Sequence, residues 1–261
     1  MQLDFFDSNC ILGKIVKPTP MTPTTVVETL DELSRVGVTR VLASHAHALQ
    51  GDIVTGNNEI LEISRNQNYV SPMWVIPQHS LLDIPDPETY VTEMLGKGVK
   101  AVRVEPTIYN GYLCEEWALG PLWRKLEEQR IPVFIGGSDI GKYPDQPRTG
   151  FSPLNLYQIS KTFPDLPIII YKLNFSSIRV IVGLMNQCKN LYVENSYFTA
   201  HNGVEFLVET VGANRVIFGS GMPWSPPGPA ALSIAFAAIS KLDKELIAEK
   251  NLESLLEQVR T

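Results

Sequence analysis

The chain has 261 residues, enough for one large domain or two small ones, with a formal net charge of −6. No basic face is visible, and phosphate binding needs one, so nucleic acid is excluded as an expected partner. Three widely spaced cysteines, Cys10, Cys114 and Cys188, form no CxxC pair, which excludes a zinc cluster and a disulfide framework and reads as reduced thiols in a cytoplasmic protein.

The N-terminal MQLDFFDSN lacks a basic stretch followed by an apolar one, so no signal peptide is expected. The longest apolar runs, VIVGLM near 180 and ALSIAFAAI at 231–239, are too short to span a bilayer, so no membrane association is expected either.

Eight short β-branched or aromatic runs follow in order: LDFFDSN (3–9), RVLAS (40–44), SPMWVIP (71–77), AVRVEP (101–106), PVFIGG (132–137), PIIIYKL (167–173), LYVENS (191–196) and VIFGSG (216–221). They are mostly continuous and apolar, as buried parallel strands are. A helical pattern follows each. In TTVVETLDELSRVG (24–37), Val27, Leu30 and Leu33 are expected on one face, with a stop at Gly37. NNEILEISRNQ follows strand two. DPETYVTEMLGKG (86–98) has Asp86 as N-cap and Pro87 at the first helical position. GPLWRKLEEQR (120–130) and SPLNLYQISKTF (152–163) come next, then SIRVIVGLMNQC, NGVEFLVETVG and PAALSIAFAAISKL. DKELIAEKNLESLLEQVR (243–260) reads as one or two C-terminal helices. One long Gly-, Pro- and Asp-rich loop, 137–150, has the length of a lid. Strand then helix, eight times, predicts a (β/α)8 TIM barrel with a C-terminal helical extension, one domain over 1–261.

Active sites of such barrels lie at the C-terminal ends of the strands. Here those ends carry Asp7-Ser8-Asn9, His45-Ala46-His47, His79, Arg103 and Glu105, Gly136-Gly137, Lys172 and Asn174, Glu194 with Tyr197, and Gly219-Ser220-Gly221. His201 follows strand seven. Arg103 and Glu105, two residues apart, share one strand face. A lysine at a strand end can polarise a carbonyl or hold a carboxylate. The glycine amides could cradle an oxyanion. Cys10 reads as a buried, inert thiol, and Trp224 in MPWSPPGP as a possible cap over the pocket.

The markers Asp7-x-x-x-x-x-Gly13, GVTRVLAS, KGVKAVRVEP, RIPVFI, FPDLPIII, CKNLYVENS and RVIFGSGMP resemble the amidohydrolase superfamily, in its amidohydrolase-related, metal-dependent hydrolase branch, over nearly the whole length. That resemblance implies a divalent metal held by two histidines after strand one, histidines after strands five and six, and an aspartate after strand eight. At those positions this chain has Asn9, Ile11, Gly136, Lys172 and Gly221. Ile and Gly bring no side-chain donor and Lys is a cation, so no metal and no cofactor is expected at the usual place.

The expected function is a metal-independent hydrolase, lactonase-like or decarboxylase-like, acting on a small polar or carboxylated molecule. Lys172, Glu105 and His45 are the candidate catalytic residues. Asn9, His47, His79, Arg103, Asn174, Glu194, Tyr197 and His201 are the candidate substrate contacts. Two alternatives stand beside it: a non-catalytic ligand-binding barrel, and a hydrolase with a displaced metal on His45, His47 and His79, for which Glu105 could be a further ligand. A homodimer is compatible by analogy with other barrels.

Overall fold

The computed structural model describes residues 3–77, 84, 86–106, 115–137, 152–173 and 177–261. His79, Asn174, Cys114 and the loop from 138 to 150 lie outside them.

Among the described residues, nine parallel strands form two sheets. The first orders β1 (Phe5–Leu12), β2 (Val38–His45) and β3 (Val70–Pro72); the second runs β4 (Trp74–Val75), β5 (Val102–Val104), β6 (Val133–Gly136), β7 (Ile168–Tyr171), β8 (Leu191–Glu194) and β9 (Val216–Ile217). Backbone bonds link the two sheets at both seams. Met73 N–H donates to the Ala43 carbonyl at 2.8 Å, so β3 and β4 are one strand broken at Met73. On the other side Ser8 N–H reaches the Phe218 carbonyl, Ile11 N–H the Met222 carbonyl and Gly221 N–H the Asn9 carbonyl, at 2.9–3.1 Å. The segment after β9 thus pairs with β1 and completes a ring of strands. SPMWVIP reads as one strand because its break costs the sequence no apolar residue.

The helices are α1 (Val26–Arg35), α2 (Ala46–Gln50), α3 (Ile53–Asn66), α4 (Pro87–Gly96), α5 (Glu116–Glu128), α6 (Pro153–Thr162), α7 (Ile178–Gln187), α8 (Gly203–Val211), α9 (Pro227–Ala235), α10 (Lys241–Glu245) and α11 (Asn251–Glu257), with a π-helical stretch, Leu246–Lys250, joining the last two. Caps fix their starts. Thr25 and Glu28 make a reciprocal capping box on α1, and Asp86 accepts from Glu88 N–H ahead of Pro87 on α4. The buried face of α1 differs from the expected one: Val27 is 62% exposed, while Leu30 and Leu33 are buried and Val26 packs against them. Residues 26, 30 and 33 follow the i, i+4, i+7 stripe, which position 27 leaves by a quarter turn. α5 starts before the predicted Gly120 and carries Pro121 inside it. The short α2 was read as strand end or loop; it starts where His45 Nδ1 accepts from His47 N–H at 3.3 Å. Among the described residues no helix is long and apolar enough to cross a membrane.

Gly56 sets how closely α3 lies on α2. A Cβ there would sit 2.1 Å from the Ala48 nitrogen and 2.6 Å from its Cα, both backbone atoms that cannot swing away. Gly56→Ala is expected to cost about 1–3 kcal/mol by overpacking, despite the better helix propensity of alanine. Urea denaturation reads this; an unchanged midpoint would mean that the two helices part freely.

Candidate active site

The site begins with a local irregularity in the first strand. The pairing of β1 with β2 shifts register between Asp7 and Cys10, so Ser8 and Asn9 form a bulge. Asp7 stabilises it: Oδ1 accepts from Asn9 N–H at 2.9 Å and from Ser220 N–H at 2.8 Å, and Oδ2 accepts from the Ser220 hydroxyl at 2.5 Å. Burial pushes the Asp7 carboxyl up, against the pull of these hydrogen bonds and of Arg103. The Asn9 side chain is buried between two charged groups. Its Oδ1 accepts from Arg103 Nη2 at 3.0 Å; its Nδ2 donates to Glu194 Oε2 at 3.0 Å and to Ser196 Oγ at 3.2 Å.

Strands β5 and β7 bring the second group. Arg103 is 0% and Glu105 2% exposed, and Arg103 Nη1 lies 3.8 Å from Glu105 Oε1, as their shared strand face requires. The guanidinium carbon stacks 4.6 Å from the Tyr171 ring centre. The Tyr171 hydroxyl donates to Glu105 Oε1 in a very short contact, and Lys172 Nζ lies 3.5 Å from the same oxygen. Burial first, and Glu105 second, push the Tyr171 phenol well above its ordinary range, which keeps it a donor. Lys172 takes a left-handed backbone, φ 58°, and its ammonium sits 5.2 Å from the ring centre of Trp224, itself 41% exposed. Arg103 Nε and Nη1 and Glu105 Oε2 are buried and have no hydrogen-bond partner among the described residues. The missing side chain at Gly136 makes room for that carboxylate: a Cβ there would lie 2.6 Å from Oε2.

Glu194 ends β8 at 1% exposure. Its Oε1 accepts from Ser196 N–H in a very short contact, and Oε2 meets Ser196 Oγ at 2.8 Å. Gly219 leaves it space, since a Cβ there would fall 2.3 Å from Oε1. Burial raises the Glu194 carboxyl from 4.5 to about 7, the nearby Asp7 adding to the rise and the bonds from Ser196 and Asn9 opposing it.

The other candidates fall elsewhere. His45 Nδ1 and His47 Nδ1 converge on Glu59 Oε2, at 2.7 and 3.1 Å. No hydrogen bond or ion pair among the described residues joins them to Glu105. Burial lowers the His45 imidazole, partly offset by Glu59. Tyr197 is half-buried, its phenol pushed up to about 12 by burial and by Glu194. His201 is exposed in the turn before α8. His79 and Asn174 are outside the described residues. The glycine amides are engaged within the chain rather than open to an oxyanion: Gly137 N–H bonds Tyr171 O, Gly219 N–H bonds Asn195 Oδ1 and Gly221 N–H bonds Asn9 O. Burial raises the Cys10 thiol well above its usual range, so it stays protonated. Among the described residues, no group of three or more His, Cys, Asp or Glu is arranged to hold a metal ion.

Tyr171, Ser196 and Ser220 are not among the expected catalytic or substrate-contacting residues. Tyr171 precedes Lys172 at a strand end, and its polar tip in an otherwise aliphatic PIIIY was the available signal.

The amidohydrolase family profile matches residues 19–256. No curated protein matches the sequence. Among solved structures, an uncharacterized TIM-barrel protein from Bordetella bronchiseptica superposes with a TM-score of 0.76 at 16% identity, over 98% of this chain and 99% of that one. The 5-carboxyvanillate decarboxylase of Sphingomonas paucimobilis gives 0.71 at 13% identity, over 99% and 100%. The 2,6-dihydroxybenzoate decarboxylase from Rhizobium gives 0.71 at 15%, over 98% and 99%. At such identities these likenesses speak to the fold, a TIM barrel. With the profile covering most of its length, the chain belongs to the amidohydrolase family.

Proposed function

We propose that this chain is a metal-independent enzyme, decarboxylase-like or lactonase-like, acting on a small carboxylated molecule. The observation that carries the reading is the buried pair Arg103 and Glu105, in which two guanidinium nitrogens and one carboxylate oxygen have no hydrogen-bond partner among the described residues, with Lys172 beside them. Buried polar groups left unsatisfied are costly, and a bound ligand is one way to satisfy them.

The residues at the family's metal positions do not fit a divalent cation. Both ends of the Asn9 amide are taken, one by a guanidinium and one by Glu194. Ile11 is apolar and fully buried, Gly136 and Gly221 bring no side-chain donor, and Lys172 brings a cation of its own. Arg103 and Lys172 supply positive charge there instead.

Their roles follow from geometry. Arg103 Nε and Nη1, which have no hydrogen-bond partner among the described residues, can each offer an N–H to a carboxylate oxygen in a charge-assisted bond. Lys172 faces both Glu105 and the open Trp224 ring, where it can stabilise negative charge developing on the substrate. Glu105 Oε2 is the proton-transfer atom: having first taken a proton from solvent, it would pass that proton to the carbon that loses CO2, or, as the carboxylate, it would take a proton from water attacking a lactone. The two decarboxylase neighbours are named for aromatic carboxylates, which makes these the first molecules to try.

Protein treated with a chelator and then desalted is expected to convert at least one member of a panel of hydroxybenzoates and lactones. Lys172→Ala and Glu105→Gln should each lower the rate by about 100-fold or more. CO2 release and lactone opening by pH indicator are the readouts. Activity that appears only on adding a divalent metal, or that survives both substitutions, would sink the proposal.

A further inference from the structure

Arg103 does not stand alone. Asn9 joins it to Glu194, the two ends of one amide touching a guanidinium and a carboxyl at 3.0 Å each. We propose that Glu194 is the proton store of this site, so that binding of a carboxylate at Arg103 is accompanied by uptake of a proton on Glu194. This rests on the anion-binding role given to Arg103 above.

Three observations support it. Charge comes first. Glu194 faces Asp7 from β1 and Tyr197 from its own segment, Arg103 reaches it through Asn9, and Gly219 after β9 lies against its Oε1. Among the described residues Asp7, Glu105 and Glu194 form a buried acidic group against the cations Arg103 and Lys172. One carboxylate is in excess when all are ionised, and a bound anion makes two. Taking up a proton is the low-cost way to relieve that.

Second, the local partner accepts both states. Ser196 Oγ, 2.8 Å from Glu194 Oε2, donates to the ionised carboxylate and accepts from the protonated one by rotating its hydroxyl. The Ser196 N–H contact on Oε1 serves either form. Third, the carboxyl titrates near neutrality, so the proton is available to be taken up under ordinary conditions. The balance is simple. The ligand enters as its anion, one buffer acid gives up its proton, and Glu194 goes from carboxylate to acid, with no other bond changed. Glu194 is a positioning residue in this scheme, acting on the ligand through Asn9 and Arg103.

The test is calorimetric titration of the protein with 2,6-dihydroxybenzoate near pH 7 in two buffers of different ionisation enthalpy. The carboxyl of this probe is ionised throughout the range. Because burial raises the Glu194 carboxyl to about 7, uptake of a measurable fraction of a proton per molecule bound is expected. It should vanish in Glu194→Gln, which holds the neutral form permanently, and fall in Ser196→Ala. Infrared difference spectra of the wild type should show a protonated carboxyl band growing on binding, a readout that does not depend on either variant folding. Binding without proton uptake overturns this proposal and leaves the carboxylate reading intact. Failure to bind the probe overturns both.

Discussion

Arg103→Ala is expected to lose about 3–5 kcal/mol of folding stability, the range found when one partner of a buried ion pair is removed. The guanidinium is fully buried, and three groups lose it together: Glu105 its nearest buried cation, Asn9 Oδ1 its donor, and the Tyr171 ring the flat group stacked on it. Lys172 remains 3.5 Å from Glu105 but is part-exposed, so it compensates incompletely. At roughly 2–4 °C per kcal/mol for a chain of this size, the melting temperature should fall by about 10 °C. Arg103→Lys should recover part of the loss, since it keeps the charge and drops the planar fork that stacks and reaches Asn9. Thermal unfolding of both variants decides the matter. A loss under about 1 kcal/mol for the alanine variant would mean that Glu105 is not held by Arg103.

Much of this was legible in the sequence because buried parallel strands announce themselves. VFIG and IIIY are continuous apolar runs and LYVE is apolar up to Glu194, and each sits where expected. The rule that barrels work at their strand ends then picks out Asn9, Arg103, Glu105, Lys172 and Glu194, which the structure joins in one network. Two things were hidden. Alternation along a strand sends Tyr171 and Lys172 to opposite sides, yet both approach Glu105 Oε1. The left-handed turn at Lys172 breaks the alternation, and nothing in PIIIYKL marks a non-glycine residue as the one to adopt it. The pairing of Asp7 with Ser220 joins residues 213 positions apart in the chain, so no local pattern shows it. His45 and His47 illustrate the reverse error of inference. Strand spacing does put them near each other, but α2 begins between them, and the chain turns both rings toward Glu59.

Glu194 is expected to make the wild type less stable as pH rises through the window from about 4.5 to about 7. In that window the native chain holds a proton on Glu194 that the unfolded chain has already released, so the unfolded state binds fewer protons and stability falls with increasing pH. The native-state advantage of the protonated form is complete below the ordinary glutamate value and gone above about 7. Integrated over the window, the difference is about 3 kcal/mol. Asp7, also raised by burial, acts in the same direction, so the wild-type curve alone does not isolate Glu194. The difference between wild type and Glu194→Gln does. The variant cannot ionise, and its stability relative to the wild type should grow by about 3 kcal/mol between the two ends of the window. Urea denaturation at several pH values measures it. A difference that stays flat would place the proton of this site elsewhere. If the difference appears as expected, a carboxyl that costs the fold stability at neutral pH is being kept ionisable at the Asn9 end of the Arg103 network, which is where a site that exchanges protons on binding an anion needs one.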